Sequence, residues 1–192
     1  MSAIKHVCFI QGAGSNGAYE EDRALVDSLQ VHLGTNYKVW YPAMPNEANP
    51  DLAAWTKAIQ LELDRIERPA FLVGHSIGAS VLAKIFSGSN SNSLECLGLY
   101  LIAGPFWHDD AFWRWDECVL PQDVGARMPN GLPIYLYHGE ADPFVPIAHL
   151  HMYAKAIPQA VIRPLRERDH QLNEDLSEVA RDIMAAKEKL LA

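Results

Sequence analysis

One serine of the chain lies in a pattern that is typical of a catalytic nucleophile. Gly74-His75-Ser76-Ile77-Gly78 has the spacing Gly-x-Ser-x-Gly, follows the apolar run 71–73 and precedes a small-residue apolar stretch, 79–86. In a nucleophile elbow the serine lies in a sharp turn between a strand and a helix, so the residues two positions before and after it must be small. Gly74 and Gly78 meet this requirement. Ser76 is therefore the candidate nucleophile, at a helix N-terminus that favours developing negative charge.

An acyl-transfer serine also needs a base to take its proton and an acid to orient that base. Asp142 lies in Gly139-Glu140-Ala141-Asp142-Pro143-Phe144-Val145-Pro146, directly after a strand-like run, and His170 lies in Arg168-Asp169-His170-Gln171 after the next run. Both loops should leave the sheet at the edge that holds Ser76. The order Ser76, Asp142, His170 along the chain is that of hydrolases with a nucleophile elbow.

Other titratable residues compete for these roles. Glu140, Asp109 and Asp110 are alternatives to Asp142 as the acid, since some hydrolases place the acid one strand earlier. His75 and His138 are expected to be packed and hydrogen-bonded. The pair His149 and His151 is two residues apart, so on a helix the two side chains face different sides, and no metal site is predicted.

A glycine-rich loop follows the first apolar run. Gly12, Gly14 and Gly17 have the Gly-x-Gly-x-x-Gly spacing of a dinucleotide-binding loop. That fingerprint also requires an acidic residue at the end of the second strand, whereas residues 37–41 run into Pro42-Ala43-Met44-Pro45. The dinucleotide interpretation is the weaker one, and no cofactor is expected.

Composition restricts the partners and the compartment. The 192 residues carry a formal net charge of -8, with a pI near 5.4, and show no basic cluster. Nucleic acids and anionic membranes are bound through clustered Lys and Arg, so we expect neither partner. Three widely spaced cysteines predict neither a disulfide framework nor a zinc site. With no apolar stretch long enough to span a bilayer, the default expectation is a cytoplasmic protein.

Strand-like and helix-like segments alternate through the chain, which predicts one α/β domain, 1–192, built on a mostly parallel sheet of about six strands with helices on both faces. The predicted strands are 4–10, 37–41, 71–73, 94–103, 133–138 and 160–166, the last an edge strand because of Pro164. Asn49 is predicted to cap the helix that precedes the elbow strand. Residues 104–131, rich in aromatics and without a sustained period, are predicted to form a short cap.

These motifs resemble the α/β-hydrolase superfamily, specifically the small single-domain serine hydrolases of the retinoblastoma-binding-protein-like family. The resemblance covers nearly the whole chain through the elbow, the Gly-x-x-Asp-Pro-Phe-Val-Pro run and the late His170. It implies an oxyanion hole made by the backbone N–H groups of Ala13 and Ile77. The chain departs from the family pattern at Asp169, where a glycine usually precedes the histidine.

The expected function is hydrolysis of small esters, and of thioesters or amides as further candidates, through an acyl-serine. The expected partner is a small-molecule acyl substrate, and the sequence leaves open whether there is a protein partner. The alternative is a protein- or ligand-binding module that keeps the fold without catalysis. The aromatics of the cap could line an acyl pocket or only pack the cap onto the sheet; they are Phe106, Trp107, Phe112, Trp113 and Trp115. Phe106, Trp107 and Trp113 are the three predicted to contact the substrate. If they line the pocket, short acyl chains should be preferred.

Overall fold

A six-stranded sheet, entirely parallel, forms the centre of the protein. The structure is a computed structural model that describes residues 4–66, 69–88, 95–108 and 112–190, with side chains up to Ala186 in the last helix. The strands lie in the order β2-β1-β3-β4-β5-β6. Their bounds are β1 Lys5–Ile10, β2 Tyr37–Trp40, β3 Ala70–His75, β4 Cys96–Ile102, β5 Ile134–Gly139 and β6 Val161–Leu165.

Helices connect the strands, as parallel neighbours require. They are α1 Ala18–Glu21, α2 Arg23–Leu33, α3 Leu52–Leu63, α4 Ile77–Phe86, α5 Val124–Arg127, α6 Ala148–Ala156 and α7 Ser177–Leu190. The predicted cap of α3 was wrong by two residues, because the side chain of Asp51 accepts the Ala54 N–H at 2.7 Å and the helix begins at Leu52. Both residue types cap helices well, so only the path of the chain decides between them.

The two faces of the sheet bury separate apolar clusters. Along β1, Cys8 and Ile10 pack on the face covered by α3, α4 and α6, while Val7 and Phe9 pack on the face covered by α2 and α7. Successive side chains of a strand point to opposite faces, so a strand buried on both sides is apolar throughout. β3 is fully buried along its whole length. The elbow after it is therefore held on a rigid strand in the middle of the sheet.

The predicted fold class is confirmed: a parallel sheet of six strands with helices on both faces. β6 is an edge strand, as Pro164 indicated. Within the described part of the predicted cap, a single 3₁₀ turn, Asp116–Cys118, and the short α5 are the regular elements. Cys118, Val124 and Met128 are buried in the cluster that contains α4, so this segment packs beside that helix.

Candidate active site

Ser76 lies where β3 turns sharply into α4. Its backbone has φ 51° and ψ -117°, a positive-φ conformation that costs free energy for a residue with a side chain. A Cβ atom on Gly78 would collide with the backbone carbonyls of Ile10 and Gln11, and one on Gly74 would lie 2.8 Å from backbone atoms of Gly78 and Ala79. Only glycine fits at these two positions. The turn thus has the geometry that the Gly-x-Ser-x-Gly pattern predicts.

Asp142 and His170 come together at the carboxyl ends of β5 and β6. Nδ1 of His170 lies 2.7 Å from Oδ2 of Asp142, although the two residues are far apart in the chain. The other oxygen, Oδ1, accepts the backbone N–H groups of Phe144 at 2.8 Å and Val145 at 2.9 Å. The Asp142 carboxylate is therefore fixed by its own loop, with its side chain only 1% exposed, and is oriented toward the imidazole.

A second histidine supports the same carboxylate. Nε2 of His138, at the end of β5, lies 3.3 Å from Oδ2 of Asp142 and 2.7 Å from the carbonyl oxygen of Val145. Burial by itself would raise the pKa of Asp142, but hydrogen bonds from His138 and His170 hold it well below its ordinary value. Asp142 is thus a carboxylate at neutral pH, while the competing Glu140 is exposed to solvent. Asp109 and Asp110 lie outside the described residues.

His170 is kept neutral by its surroundings. Burial lowers the pKa of its imidazolium, the hydrogen bond to Asp142 raises it, and the nearby His75 lowers it, with a net pKa below the ordinary value. The His170 ring is adjacent to the elbow, because its centroid lies 4.8 Å from that of His75, the residue before Ser76. Among the hydrogen bonds of the described residues, none joins the Ser76 hydroxyl to His170 in this conformation. Such bonds often form only with substrate bound.

The glycine-rich loop lies against the elbow. A Cβ atom on Gly12 would lie 3.3 Å from Cβ of Ser76. Ala13 and Ile77 are both half-buried and pack against the same apolar cluster. Neither backbone N–H has an acceptor among the described hydrogen bonds, and Ile77 is the first residue of α4, where an N–H has no partner within the helix. Both N–H groups are therefore without a hydrogen-bond acceptor in the part of the chain that the structure describes.

Two carboxylates already occupy the N–H groups that a dinucleotide phosphate would need. The Gly12 N–H donates to Oδ2 of Asp22 at 2.7 Å, and the Tyr19 N–H donates to Oε2 of Glu47 at 2.7 Å. A phosphate beside these acidic groups would be repelled. The structure thus disfavours the dinucleotide interpretation that the glycine spacing left open.

Asp22 is a residue that the sequence analysis did not single out. It is buried between the glycine-rich loop, the elbow and the His170 loop, and it contacts His75. Glu20, Glu21 and Arg23 surround it in the sequence, a composition typical of a solvated helix face. No local pattern distinguishes Asp22, because its partners come from distant parts of the chain.

Three of the cap aromatics, Phe106, Trp107 and Trp113, form one cluster with α6. The ring centroids of Trp107 and Trp113 lie 6.1 Å apart, Trp113 packs edge-on against His149 at 4.5 Å, and the Phe106 N–H donates to Nδ1 of His149 at 2.9 Å. Phe106 and Trp107 pack against the same apolar cluster as Ile77. His149 is buried and hydrogen-bonded as a structural residue.

A cavity of about 420 Å³ lies elsewhere, beside the glycine-rich loop. It is lined by Tyr19, Ala43, Met44, Asn46, Glu47 and Ala48, and Phe106, Trp107 and Trp113 are not among its lining residues.

Phe144 is a large apolar residue beside His170. The residue is 71% exposed, and its ring centroid lies 5.5 Å from that of His170. The sequence analysis named Phe144 only as part of the Asp142 loop and did not single out its exposed ring beside His170.

In the part of the chain that the structure describes, no group of three or more His, Cys, Asp or Glu residues could hold a metal ion. Cys8, Cys96 and Cys118 are free thiols. No helix among the described residues is long and apolar enough to cross a membrane.

The parallel sheet and the serine elbow are those of the α/β-hydrolase fold. The serine hydrolase family model matches residues 28–175, well over half of the chain. The protein therefore belongs to the serine hydrolase family. The comparison with curated proteins gave no match.

Solved structures share the whole architecture at low sequence identity. The ydeN gene product from B. subtilis is 17% identical with a TM-score of 0.67, covering 96% of this chain and 99% of that one. CarC, a serine hydrolase involved in carbazole degradation, is 15% identical with a TM-score of 0.70, covering 97% and 92%. XC6422 from Xanthomonas campestris, an α/β serine hydrolase without lid, is 14% identical with a TM-score of 0.68, covering 98% and 84%. At such identities the likeness supports the fold alone.

Proposed function

We propose that this serine hydrolase cleaves small carboxylic esters through an acyl-serine intermediate on a Ser76–His170–Asp142 triad. The observation that carries the proposal is the 2.7 Å contact between Nδ1 of His170 and Asp142, formed beside an elbow that holds Ser76 at φ 51°. Nδ1–H donates to the carboxylate, so Nε2 is left as the proton acceptor. This is the tautomer that a general base for serine requires.

The reaction then proceeds in two balanced halves. Ser76 Oγ attacks the carbonyl carbon while its proton moves to Nε2 of His170, and the N–H groups of Ala13 and Ile77 bind the oxyanion. Collapse of this intermediate breaks the bond to the alcohol, which leaves with the proton from His170. A water molecule next attacks the acyl-serine, His170 takes its proton, and the carboxylic acid is released as Ser76 recovers its hydrogen. Thioesters and amides are the other acyl substrates that the same steps would accept.

The retinoblastoma-binding-protein-like subgroup is the proposed place of the chain within the α/β-hydrolases, on the strength of its elbow and acid-loop motifs. A cytoplasmic location is part of the proposal and is supported by the three free cysteines, since oxidising compartments favour disulfides. The substrate-binding side chains in this proposal are Phe106, Trp107 and Trp113.

Hydrolysis of p-nitrophenyl acetate, butyrate and octanoate tests the activity. We expect a burst of nitrophenol followed by a steady rate, both lost in Ser76→Ala. Ser177→Ala, a serine at the start of α7, is the matched control and should keep the wild-type rate. A folded wild type that turns over neither these esters nor a matching thioester or amide would instead favour the non-catalytic binding module.

A further inference from the structure

The carboxylate of Asp22 joins the three loops of the active site. It accepts the Gly12 N–H at 2.7 Å, lies 2.9 Å from Nδ1 of His75, and accepts the side-chain amide of Gln171 at 3.1 Å. These partners stand next to Ala13, Ser76 and His170, the proposed oxyanion donor, nucleophile and base. The Asp22 side chain, only 1% exposed, thus contacts a residue adjacent in sequence to each of these three groups.

Both ring nitrogens of His75 face oxygen atoms that can only accept. Nδ1 faces the Asp22 carboxylate, and Nε2 lies 3.1 Å from the backbone carbonyl oxygen of His170. A neutral imidazole carries a single N–H and could satisfy only one of them, whereas the imidazolium donates to both. The geometry therefore selects the charged form. A buried carboxylate with a buried imidazolium is also far less costly than either charge alone.

The charged groups around this pair agree with that assignment. His75 is faced by Asp22, by the His170 ring and, farther away, by Asp142, while Tyr41 lies near Asp22. Burial lowers the pKa of His75, but the charge and hydrogen bond of Asp22 raise it above its ordinary value. Burial raises the pKa of Asp22, and His75 lowers it to a net value below the ordinary one. Each partner thus favours the charged form of the other.

We propose that Asp22 and His75 form a buried ion pair that positions the oxyanion loop, the elbow and the His170 loop, and that its imidazolium acts together with burial to keep the neighbouring base His170 unprotonated. The proposal rests on the proposed function for its catalytic consequence, but the charge of His75 is a property of the folded protein alone. Asp22 and His75 are positioning residues, because neither touches the reacting atoms.

Asp22→Asn removes the carboxylate that raises the pKa of His75, so we expect His75 to become neutral. We expect kcat for p-nitrophenyl acetate to fall roughly tenfold to a hundredfold, because the loops that carry the reacting groups lose a common anchor and a misplacement of about 1 Å is that costly, with KM changed less than about twofold. The acid limb of the pH profile of kcat/KM should move to higher pH. Its direction follows from the charges: the nearby imidazolium lowers the pKa of His170 more than the farther Asp22 raises it.

His75→Gln sharpens the test, because it removes the positive charge and keeps the negative one. The acid limb should move to higher pH by more than in Asp22→Asn. Asp182→Asn is the matched control: its carboxylate also joins several elements, through Tyr137 at 2.8 Å and Arg163 at 3.1 Å, but touches none of the three loops. It should lower thermal stability and leave kcat and the acid limb unchanged. Asp22→Asn and His75→Gln variants whose acid limbs stay at the wild-type pH would overturn the proposal.

Nitrogen NMR of the wild-type protein with ¹⁵N-labelled histidine provides a readout independent of both activity and variant folding. At pH 7.5, the signal assigned to His75 should show two protonated ring nitrogens, and that of His170 only one. A His75 ring with one unprotonated nitrogen contradicts the ion pair. A charged His75 in a protein without esterase activity would support the pair and refute the proposed function, so the two failures are distinguishable.

Discussion

Two aspartate–histidine pairs lie side by side at the carboxyl edge of the sheet, with their imidazole centroids 4.8 Å apart. Each histidine directs Nδ1 to a carboxylate, His170 to Asp142 at 2.7 Å and His75 to Asp22 at 2.9 Å. They differ at the second nitrogen. Nε2 of His75 meets a carbonyl oxygen, whereas no described hydrogen bond occupies Nε2 of His170. We call Asp22–His75 the closed pair, because both ring nitrogens of its histidine have partners within the protein. We call Asp142–His170 the open pair, because Nε2 of its histidine has none among the described hydrogen bonds.

This difference explains why the pKa values of the two histidines shift in opposite directions. The pKa of His75 is raised and that of His170 is lowered, although burial lowers both. The pKa of His75 is raised because its ring donates to two acceptors, one of which is the charged Asp22 carboxylate. The pKa of His170 is lowered by burial and, in addition, because the cationic His75 lies beside it. The charge of His75 strengthens its hydrogen bonds to both acceptors, which suits a positioning residue. His170 must instead be neutral before it can take a proton as a general base.

Breaking the open pair should have the largest effect. Asp142→Asn removes the charge that stabilises the His170 imidazolium and allows the wrong tautomer, so we expect kcat to fall by about 10³–10⁴-fold. Steady-state hydrolysis of p-nitrophenyl acetate measures it. Glu140→Gln, at the exposed neighbour, should retain the wild-type rate, as should Asp109→Asn and Asp110→Asn. A large loss in one of these three, with little loss in Asp142→Asn, would identify a different acid.

A smaller loss is expected where the glycine-rich loop meets both the nucleophile and the closed pair. A Cβ atom on Gly12 would lie 3.3 Å from Ser76 Cβ and 3.4 Å from Nδ1 of His75, while one on Gly14 would meet nothing within 4 Å. Gly12→Ala should therefore displace the oxyanion donor at Ala13 and lower kcat roughly tenfold to a hundredfold. Gly14→Ala should be nearly neutral. Equal effects of the two substitutions would contradict the assigned role of the loop.

Substitutions in the cap should leave both pairs intact and change selectivity rather than rate. If the aromatic cluster lines the acyl pocket, Trp107→Ala or Trp113→Ala should shift the preferred acyl chain from short to longer. The ratio of kcat/KM for the octanoate ester to that for the acetate ester should rise by a few-fold. The control is Val119→Ala in the same segment, an exposed aliphatic side chain outside the aromatic cluster. An activity profile that rises steadily with chain length in the wild type would show that these aromatics only pack the cap.

The smallest effect concerns the pH dependence of the wild type. His170 must be neutral to act as the base, and its pKa lies below the ordinary value near 6.5. A lowered pKa keeps the base neutral in more acid solution, so kcat/KM at pH 6.5 should exceed half of its plateau value. A rate profile measured from pH 5 to 9 checks this. An acid limb centred above pH 6.5 would contradict the lowered pKa that burial and the neighbouring His75 give His170.

The open pair could be predicted from the sequence, and the closed pair could not. Ser76, Asp142 and His170 each follow a strand-like run, and parallel strands bring the ends of such runs to one edge. Asp22 follows the four-residue helix α1 within a charged segment, and its contacts to His75 and Gln171 span 53 and 149 positions of the chain. Such contacts depend on how loops from distant segments pack, which periodicity and composition do not encode.

Covalent labelling of the nucleophile tests the central claim most directly. The folded protein, treated with a fluorophosphonate probe and digested, should give a single modified peptide by mass spectrometry, with the adduct on Ser76. The adduct should be absent from Ser76→Ala and should form much more slowly in Asp142→Asn, because the neutral base with its proton on Nδ1 activates the hydroxyl. An adduct that persists in Ser76→Ala, or a folded wild type that does not react, would contradict the account.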